Sequence, residues 1–278
     1  FPRSPTALSI NFDKVLTIHN KSVRTPADHR KPAPGDIPLW MLFPLFFAAV
    51  YLSHLTLLRL PYFWDEGGYY IPAALDFFRT GTLIPYSTVT NAHPPLPSIL
   101  LAGWWHLSGF VVSGTRTFIC IVSASALLGI YKLAKTLAGT AAAAVVTFLT
   151  AIYPIWFAQS TLAHADIFAA AFTLWGLAFY FDRDEEGRTT RKRQLIAAIL
   201  FALSALSKET AVITPAALAL WEAILFLRDR RRSQALGWIA ALLFPILPLM
   251  AWYAFHYHRT GFIFGNPEYL RYNATANL

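Results

Sequence analysis

The chain has 278 residues, of which 56% are hydrophobic, 15% are aromatic and only 14% are charged. A soluble domain covers its surface with polar groups, so this composition excludes an ordinary globular protein and predicts an integral membrane protein. The net charge of +8 does not indicate nucleic-acid binding, because the basic residues cluster in short segments between apolar runs, where positive charge orients membrane helices. The one cysteine, Cys120, excludes an intrachain disulfide and a cysteine-based metal site.

Several segments without acidic or basic residues are close to the ~20 residues that a membrane-spanning helix needs. The sequence shows no alternation of period two, and a lipid-facing backbone must satisfy its own hydrogen bonds, which favours helices over a barrel. We therefore predict an all-α, polytopic transmembrane bundle of about seven or eight helices. The uncharged runs are 37–58, 94–113, 117–131, 137–163, 167–181 and 233–255.

The chain divides into a polar start and an apolar remainder. Residues 1–36 carry six Lys or Arg against three acidic residues, which predicts a basic cytoplasmic tail. Residues 37–278 form the predicted transmembrane module. Because the chain begins with Phe1 rather than Met and stops after a polar stretch at Leu278, we expect a fragment truncated at its C-terminus.

Residues 61–92 form the predicted first outer loop, which is long for a compact bundle and therefore more often functional. We expect a short interfacial helix from Glu66 to Arg79, with Gly81 as its stop. The apolar anchors of this helix are predicted to be Tyr69, Tyr70, Leu75, Phe77 and Phe78.

The acidic pair Asp65 and Glu66 at the start of this helix is the strongest candidate for chemistry. Aromatic neighbours and two glycines surround the pair, and such a setting can desolvate a carboxylate and raise its pKa towards the range of a general base. The alternative is a charge that is simply favoured at a helix start.

His93, in the stretch N-A-H-P-P-L, lies at the other end of the same loop. Loop closure brings His93 back towards Asp65, although a lone histidine can also be purely structural. Asp65, Glu66 and His93 could together hold a divalent ion, but we expect that no metal or other cofactor is required.

Charge patterning predicts which residues share a side of the membrane. Basic clusters at 188–193 and 228–232 indicate inner loops, so Asp166, Lys208 and Glu209 are predicted to lie outside. Lys132 is then expected inside, which requires residues 94–131 to cross an odd number of times. Since this region resembles two helices, one of them should not span the membrane fully.

The stretch S-K-E-T at 207–210 divides an apolar segment that is too long for one crossing. Lys208 could snorkel to the interface or bind a phosphate. Asp166 could face a cavity or a partner, as ionisable groups in membrane helices usually do, or be favoured by the helix dipole.

The order of these features resembles the GT-C superfamily of membrane glycosyltransferases, in particular the dolichyl-phosphate-mannose protein mannosyltransferase and aminoarabinose transferase type. The resemblance covers about residues 37–265 and depends mainly on D-E followed by H-P-P-L. It implies inverting transfer of a sugar from a polyprenyl-phosphate donor to an acceptor, in a multi-pass protein of the inner (plasma) membrane whose catalytic face lies outside the cytoplasm.

The resemblance also implies roles for individual residues. Asp65 matches the catalytic acidic residue and Glu66 its neighbour, His93 lies at the cavity mouth, and Lys208 resembles the cation that contacts the donor phosphate. Asp166 and Glu209 are further cavity candidates. One departure is Pro97 after H-P-P-L.

Two other functions fit the same residues. In a transporter or flippase for lipid-linked oligosaccharides, Asp166 and Lys208 would line a translocation path. In a non-catalytic membrane scaffold, the two motifs would only order the loop. The expected partners of the enzyme are the polyprenyl-phosphate sugar, membrane lipids and an acceptor that the sequence does not reveal.

Overall fold

The computed structural model describes residues 37–182, 189–229, 234–263, 265–267 and 271. The predicted cytoplasmic tail, 1–36, and much of both basic inner loops lie outside the described residues. Within the described ranges the protein is helical and contains no strand, so the all-α prediction is confirmed. The α-helices are α1 Leu39–Ser53, α2 Ile71–Thr80, α3 Leu96–Ser108, α4 Val112–Ile152, α5 Pro154–Gln159, α6 Ala165–Phe181, α7 Arg191–Ser207, α8 Ile213–Arg228, α9 Ala235–Leu243 and α10 Ile246–Thr260.

Three helical segments are long and apolar enough to cross a membrane, namely α4, Glu209–Arg228 and Ala235–Thr260. Helices α1 and α6 are apolar but shorter. These helices make the chain a multi-pass membrane protein, whereas the total of seven or eight membrane helices stays a prediction.

The region 94–131 contains two helices of different length, and its number of membrane crossings stays a prediction. Helix α3 has 13 residues and rises about 20 Å, which is less than the ~30 Å of a hydrocarbon core. Helix α4 is interrupted at Gly139, whose φ of 85° and ψ of 175° divide it into two helices. Residues 112–138 rise about 40 Å, so this part can span alone.

The neighbouring helices α6 and α7 run in opposite directions and place charged groups at both ends of the bundle. At one end, Asp182 lies 3.5 Å from the Lys132 ammonium and 3.6 Å from the Arg193 guanidinium. At the other end, the Lys208 ammonium lies 2.6 Å from the Asp166 carboxylate. Asp166 and Lys208 therefore share one end, opposite Lys132, as the sequence predicts.

The predicted helix in the first loop is present. A π-helical turn, Glu66–Tyr70, leads directly into α2. Gly81 follows with a left-handed φ of 71° and ends the helix, because glycine adopts this conformation without a Cβ clash. Helix α2 packs on α3 and α4 through buried side chains that include Ile71, Leu101 and Ile119.

The rest of the first loop, 82–92, is fixed near its middle and at its C-terminal end. The buried Asp76 carboxylate accepts hydrogen bonds from the backbone N–H groups of Tyr86 and Ser87 and from the Ser87 hydroxyl. Further along, the Trp252 indole of α10 donates to the Ala92 carbonyl over 2.9 Å. The loop is therefore a packed part of the bundle that holds His93 in place.

Candidate functional site

A buried ion pair between Glu66 and Arg116 anchors the start of the first-loop helix. Glu66 is 0% exposed and Arg116 is 1% exposed. The guanidinium donates to both carboxylate oxygens, over 3.4 and 3.1 Å, and also to the carbonyls of Leu60, Pro61 and Thr161. The Ala163 N–H donates to the same carboxylate over 2.7 Å. Glu66 therefore ties three parts of the chain together.

The burial of Glu66 corrects the expectation for the acidic pair. Asp65 is exposed, so the desolvated carboxylate is Glu66 and not the proposed base. Because Glu66 is fully buried and its carboxylate already accepts hydrogen bonds from Arg116 and from the Ala163 N–H, its geometry suits a positioning residue rather than one that touches substrate. Asp65 directly precedes Glu66 in the chain, so this anchor restricts the backbone on the C-terminal side of Asp65.

Backbone strain marks both sides of the site. Trp64, just before Asp65, has a φ of 52°, and Ala92, just before His93, has a φ of 62°. Such left-handed values are uncommon for residues other than glycine and persist where the surrounding structure enforces them. The fold thus holds Asp65 and His93 in specific orientations.

Asp65 and His93 line the same polar cavity, as loop closure predicts. The cavity has a volume of about 290 Å³, which is enough for a polar group of the size of a sugar ring. The aromatic rings of Tyr69 and Tyr70 form part of its wall, and the Tyr70 and His93 rings stack with centroids 6.3 Å apart. The complete lining is Asp65, Gly68, Tyr69, Tyr70, Thr88, Val89, Asn91 and His93.

His93 is held from the opposite side by Glu209. Its Nδ1 lies 2.9 Å from the Glu209 carboxylate, and both side chains are about one quarter exposed. The backbone N–H of His93 donates to the Asn91 side chain. The pair connects the first loop with the start of the segment Glu209–Arg228, so Glu209 is a partner of His93 and reaches the polar cavity through it.

Lys208 and Asp166 lie at two apolar cavities and not at the polar one. A cavity of about 430 Å³ is lined by both residues. A second cavity of about 560 Å³ is lined by Asp166 and continues along apolar side chains such as Val146 and Ile155. Trp156 and Ala170 line both cavities, which are therefore adjacent. Asp65 and Lys208 therefore line different cavities.

Tyr70 lines the polar cavity, and it is a site residue that the sequence assigned wrongly. It was expected to anchor the helix in lipid, but it is 8% exposed and stacks near His93 and His164. Burial raises the pKa of the Tyr70 phenol, and the nearby carboxylates of Asp166 and Asp65 raise it further. Tyr70 is therefore a neutral phenol in the wall of the polar cavity.

His164 also belongs to this region, although the sequence did not single it out. Its Nε2 is buried without a hydrogen-bond partner among the described residues. Arg116 was not singled out as a site residue either, although an ionisable residue between apolar runs normally marks a functional or paired site. That rule would have identified Arg116, whereas nothing in the sequence indicates the orientation of His164.

The three residues considered for a metal ion do not form a cluster. Glu66 is turned into the Arg116 pair, while His93 faces Glu209. In the described part of the chain, no three His, Cys, Asp or Glu side chains are grouped so that they could hold a metal ion.

Comparison with known proteins supports the resemblance seen in the sequence. A family model described as dolichyl-phosphate-mannose-protein mannosyltransferase matches residues 92–253, more than half of the chain. A search of curated protein sequences gives no significant match.

The fold is similar to that of a solved structure, ArnT from Cupriavidus metallidurans bound to undecaprenyl phosphate. The TM-score is 0.61 at 20% sequence identity, and the match covers 81% of this chain. It covers 42% of the ArnT chain, so the present chain spans less than half of that length. With a GT-C fold and a family match over most of its length, the chain belongs to the dolichyl-phosphate-mannose-protein mannosyltransferase family.

Proposed function

We propose that this protein transfers a sugar from a polyprenyl-phosphate donor to an acceptor at the outer face of the membrane, with inversion at the anomeric carbon. The observation that carries the proposal is the link between His93 and the segment that contains Lys208. His93 lines the polar cavity with Asp65, and its Nδ1 lies 2.9 Å from the Glu209 carboxylate. Lys208, the residue before Glu209, lines an apolar cavity, so the polar cavity and the apolar cavity lie on either side of the contact between His93 and Glu209.

The two apolar cavities suit the lipid part of the donor. Their lining is mostly hydrophobic, and the charged pair of Asp166 and Lys208 lies where they adjoin. A polyprenyl chain would bury its isoprene units there, and its phosphate would reach the Lys208 ammonium. The solved ArnT structure holds undecaprenyl phosphate, which supports this class of ligand for the family fold.

The polar cavity suits the acceptor and the transferred sugar. In the proposed reaction, an acceptor oxygen or nitrogen forms a bond to the anomeric carbon as the bond from that carbon to the phosphate oxygen breaks. The acceptor proton passes to the Asp65 carboxylate, and the bonding electrons remain on the phosphate, which Lys208 stabilises. One displacement of this kind inverts the anomeric configuration.

Two neighbouring pairs of side chains fix the positions of the groups that line the polar cavity. The Glu66–Arg116 pair fixes the backbone beside Asp65, and the Glu209–His93 pair fixes the imidazole at the cavity wall. Fixed positions matter because a positioned base contributes roughly 10²–10⁴-fold to a proton transfer. We propose that Glu66 and Glu209 act through these partners.

The location outside the cytoplasm is supported by the charges at the two ends of the bundle. Lys132 and Arg193 lie at the end opposite Asp166 and Lys208. Because basic residues favour the cytoplasmic side, the site end is assigned to the outside.

The proposal is tested with the purified full-length protein, a radiolabelled polyprenyl-phosphate sugar and a membrane extract that supplies acceptors. We expect a glycosylated product whose anomeric configuration, determined by NMR, is opposite to that of the donor. Retention of configuration would contradict the single displacement. A transporter would move donor across vesicles without forming product, and a scaffold would do neither, so either result would overturn the proposal.

A further inference from the structure

We propose that Asp166 makes the Lys208 site selective for a singly charged phosphodiester over a doubly charged phosphomonoester. This inference rests on the proposed function, in which the diester is the sugar donor and the monoester is the spent lipid carrier. Asp166 would then be a specificity-determining residue that weakens the binding of product relative to donor.

The geometry places an acidic group directly on the cation that a phosphate requires. The Lys208 ammonium donates to the Asp166 carboxylate over 2.6 Å, and the two side chains are 31% and 51% exposed. Both residues line the same cavity. A phosphate that reaches Lys208 therefore arrives beside Asp166 and must share or displace it.

The surroundings provide no second cation for an additional negative charge. Among the described residues that line the two apolar cavities, Lys208 is the one basic residue. The residue after Lys208, Glu209, is a further carboxylate and is already paired with His93. With Asp166 ionised, the pair of Asp166 and Lys208 has no net charge.

The reaction itself changes the charge of the lipid phosphate. The donor is a diester with one negative charge. When the bond between the anomeric carbon and the phosphate oxygen breaks, the electrons stay on that oxygen and leave a monoester, which carries about −1.5 to −2 near pH 7. The repulsion from Asp166 therefore increases when the sugar has been transferred, and this increase favours release of the carrier.

The experiment measures the affinity of full-length protein for two matched lipids, polyprenyl monophosphate and its methyl diester, in detergent micelles near neutral pH. The methyl diester carries the charge of the donor but no sugar, so the comparison isolates charge. We expect the unmodified protein to bind the diester more tightly. Asp166→Asn should raise monoester affinity relative to diester affinity by about tenfold, because like charges a few ångströms apart repel on that scale.

Three further variants make the result specific. Asp166→Glu keeps the charge and should keep the preference for the diester. Lys208→Met should weaken binding of both lipids. Asp182→Asn is the matched control, since it removes an acidic ion-pair partner at the opposite end of the same helix and should leave the ratio of affinities unchanged.

The outcomes separate this inference from the proposed function. In one outcome both lipids bind, Lys208→Met weakens the binding of both, and Asp166→Asn leaves the ratio of the two affinities unchanged. The selectivity role of Asp166 is then wrong, while the phosphate site stands. If the unmodified protein binds neither lipid, the proposed donor site itself is wrong. A loss of the diester preference in Asp166→Glu would also overturn the role of charge.

Discussion

Replacing Arg116 by Met should destabilise the protein strongly and displace the loop that carries Asp65. The guanidinium is buried and donates to the Glu66 carboxylate and to three backbone carbonyls. Methionine fills similar space but donates nothing, so the change leaves a buried carboxylate without its cation. Removing one partner of a buried ion pair typically costs about 3–5 kcal/mol.

A double variant shows whether the unpaired charge is the cause. Glu66→Gln keeps an oxygen that can accept from the Ala163 N–H but removes the negative charge. The combination of Glu66→Gln with Arg116→Met should therefore be more stable than Arg116→Met alone. Lys132→Met is the control, because its partner Asp182 is about one third exposed and such pairs contribute about 0–1 kcal/mol.

The assay is equilibrium unfolding in mixed detergent micelles, followed by tryptophan fluorescence. We expect the free energy of unfolding to fall most for Arg116→Met, less for the double variant and least for Lys132→Met. Equal stability of Arg116→Met and Lys132→Met would refute the structural role of the pair. A double variant that is no more stable than Arg116→Met would refute the argument from charge.

Two further predictions concern packing and sidedness. Gly176→Ala should destabilise the contact of α6 with α7 by about 1–3 kcal/mol, because the added methyl group would meet a buried phenyl ring at 2.8 Å. Gly103→Ala is the control in the same unfolding assay, because a methyl group added there has open space. Cysteines introduced at Gly67 and Thr210 should both react with an impermeant thiol reagent from outside intact cells, and a cysteine at Lys192 should not; labelling of the Lys192 variant alone would reverse the assigned orientation.

Much of the fold could be predicted because it depends on local signals. The first-loop helix and its stop at Gly81 follow from sequence pattern and from the conformational freedom of glycine. The separation of α7 from the segment that begins at Glu209 follows from S-K-E-T inside an overlong apolar stretch. Such features depend on residues that are close in the chain, so a single sequence contains the required information.

The parts of the site that depend on distant contacts could not be predicted. The sequence places Asp65 and Glu66 side by side, but it does not show that one is exposed while the other reaches Arg116, 50 residues away. The sequence also does not distinguish Tyr70 from the neighbouring aromatic residues that are predicted to anchor the helix in lipid. The burial of Tyr70 and its ring contacts with His93 and His164 depend on residues that are distant in the chain.

The most direct test of the account compares two variants of the full-length enzyme, Asp65→Asn and Lys208→Met, for donor affinity and for turnover of bound donor. Asp65→Asn keeps the size of the side chain but removes its basicity, so we expect unchanged donor affinity and a turnover that falls by roughly 10² or more. Lys208→Met removes a charge-assisted contact of about 1.5–3 kcal/mol, so donor affinity should fall by an order of magnitude or more. An active Asp65→Asn enzyme, or unchanged donor affinity in Lys208→Met, would contradict the assignment of base and phosphate cation to these two residues.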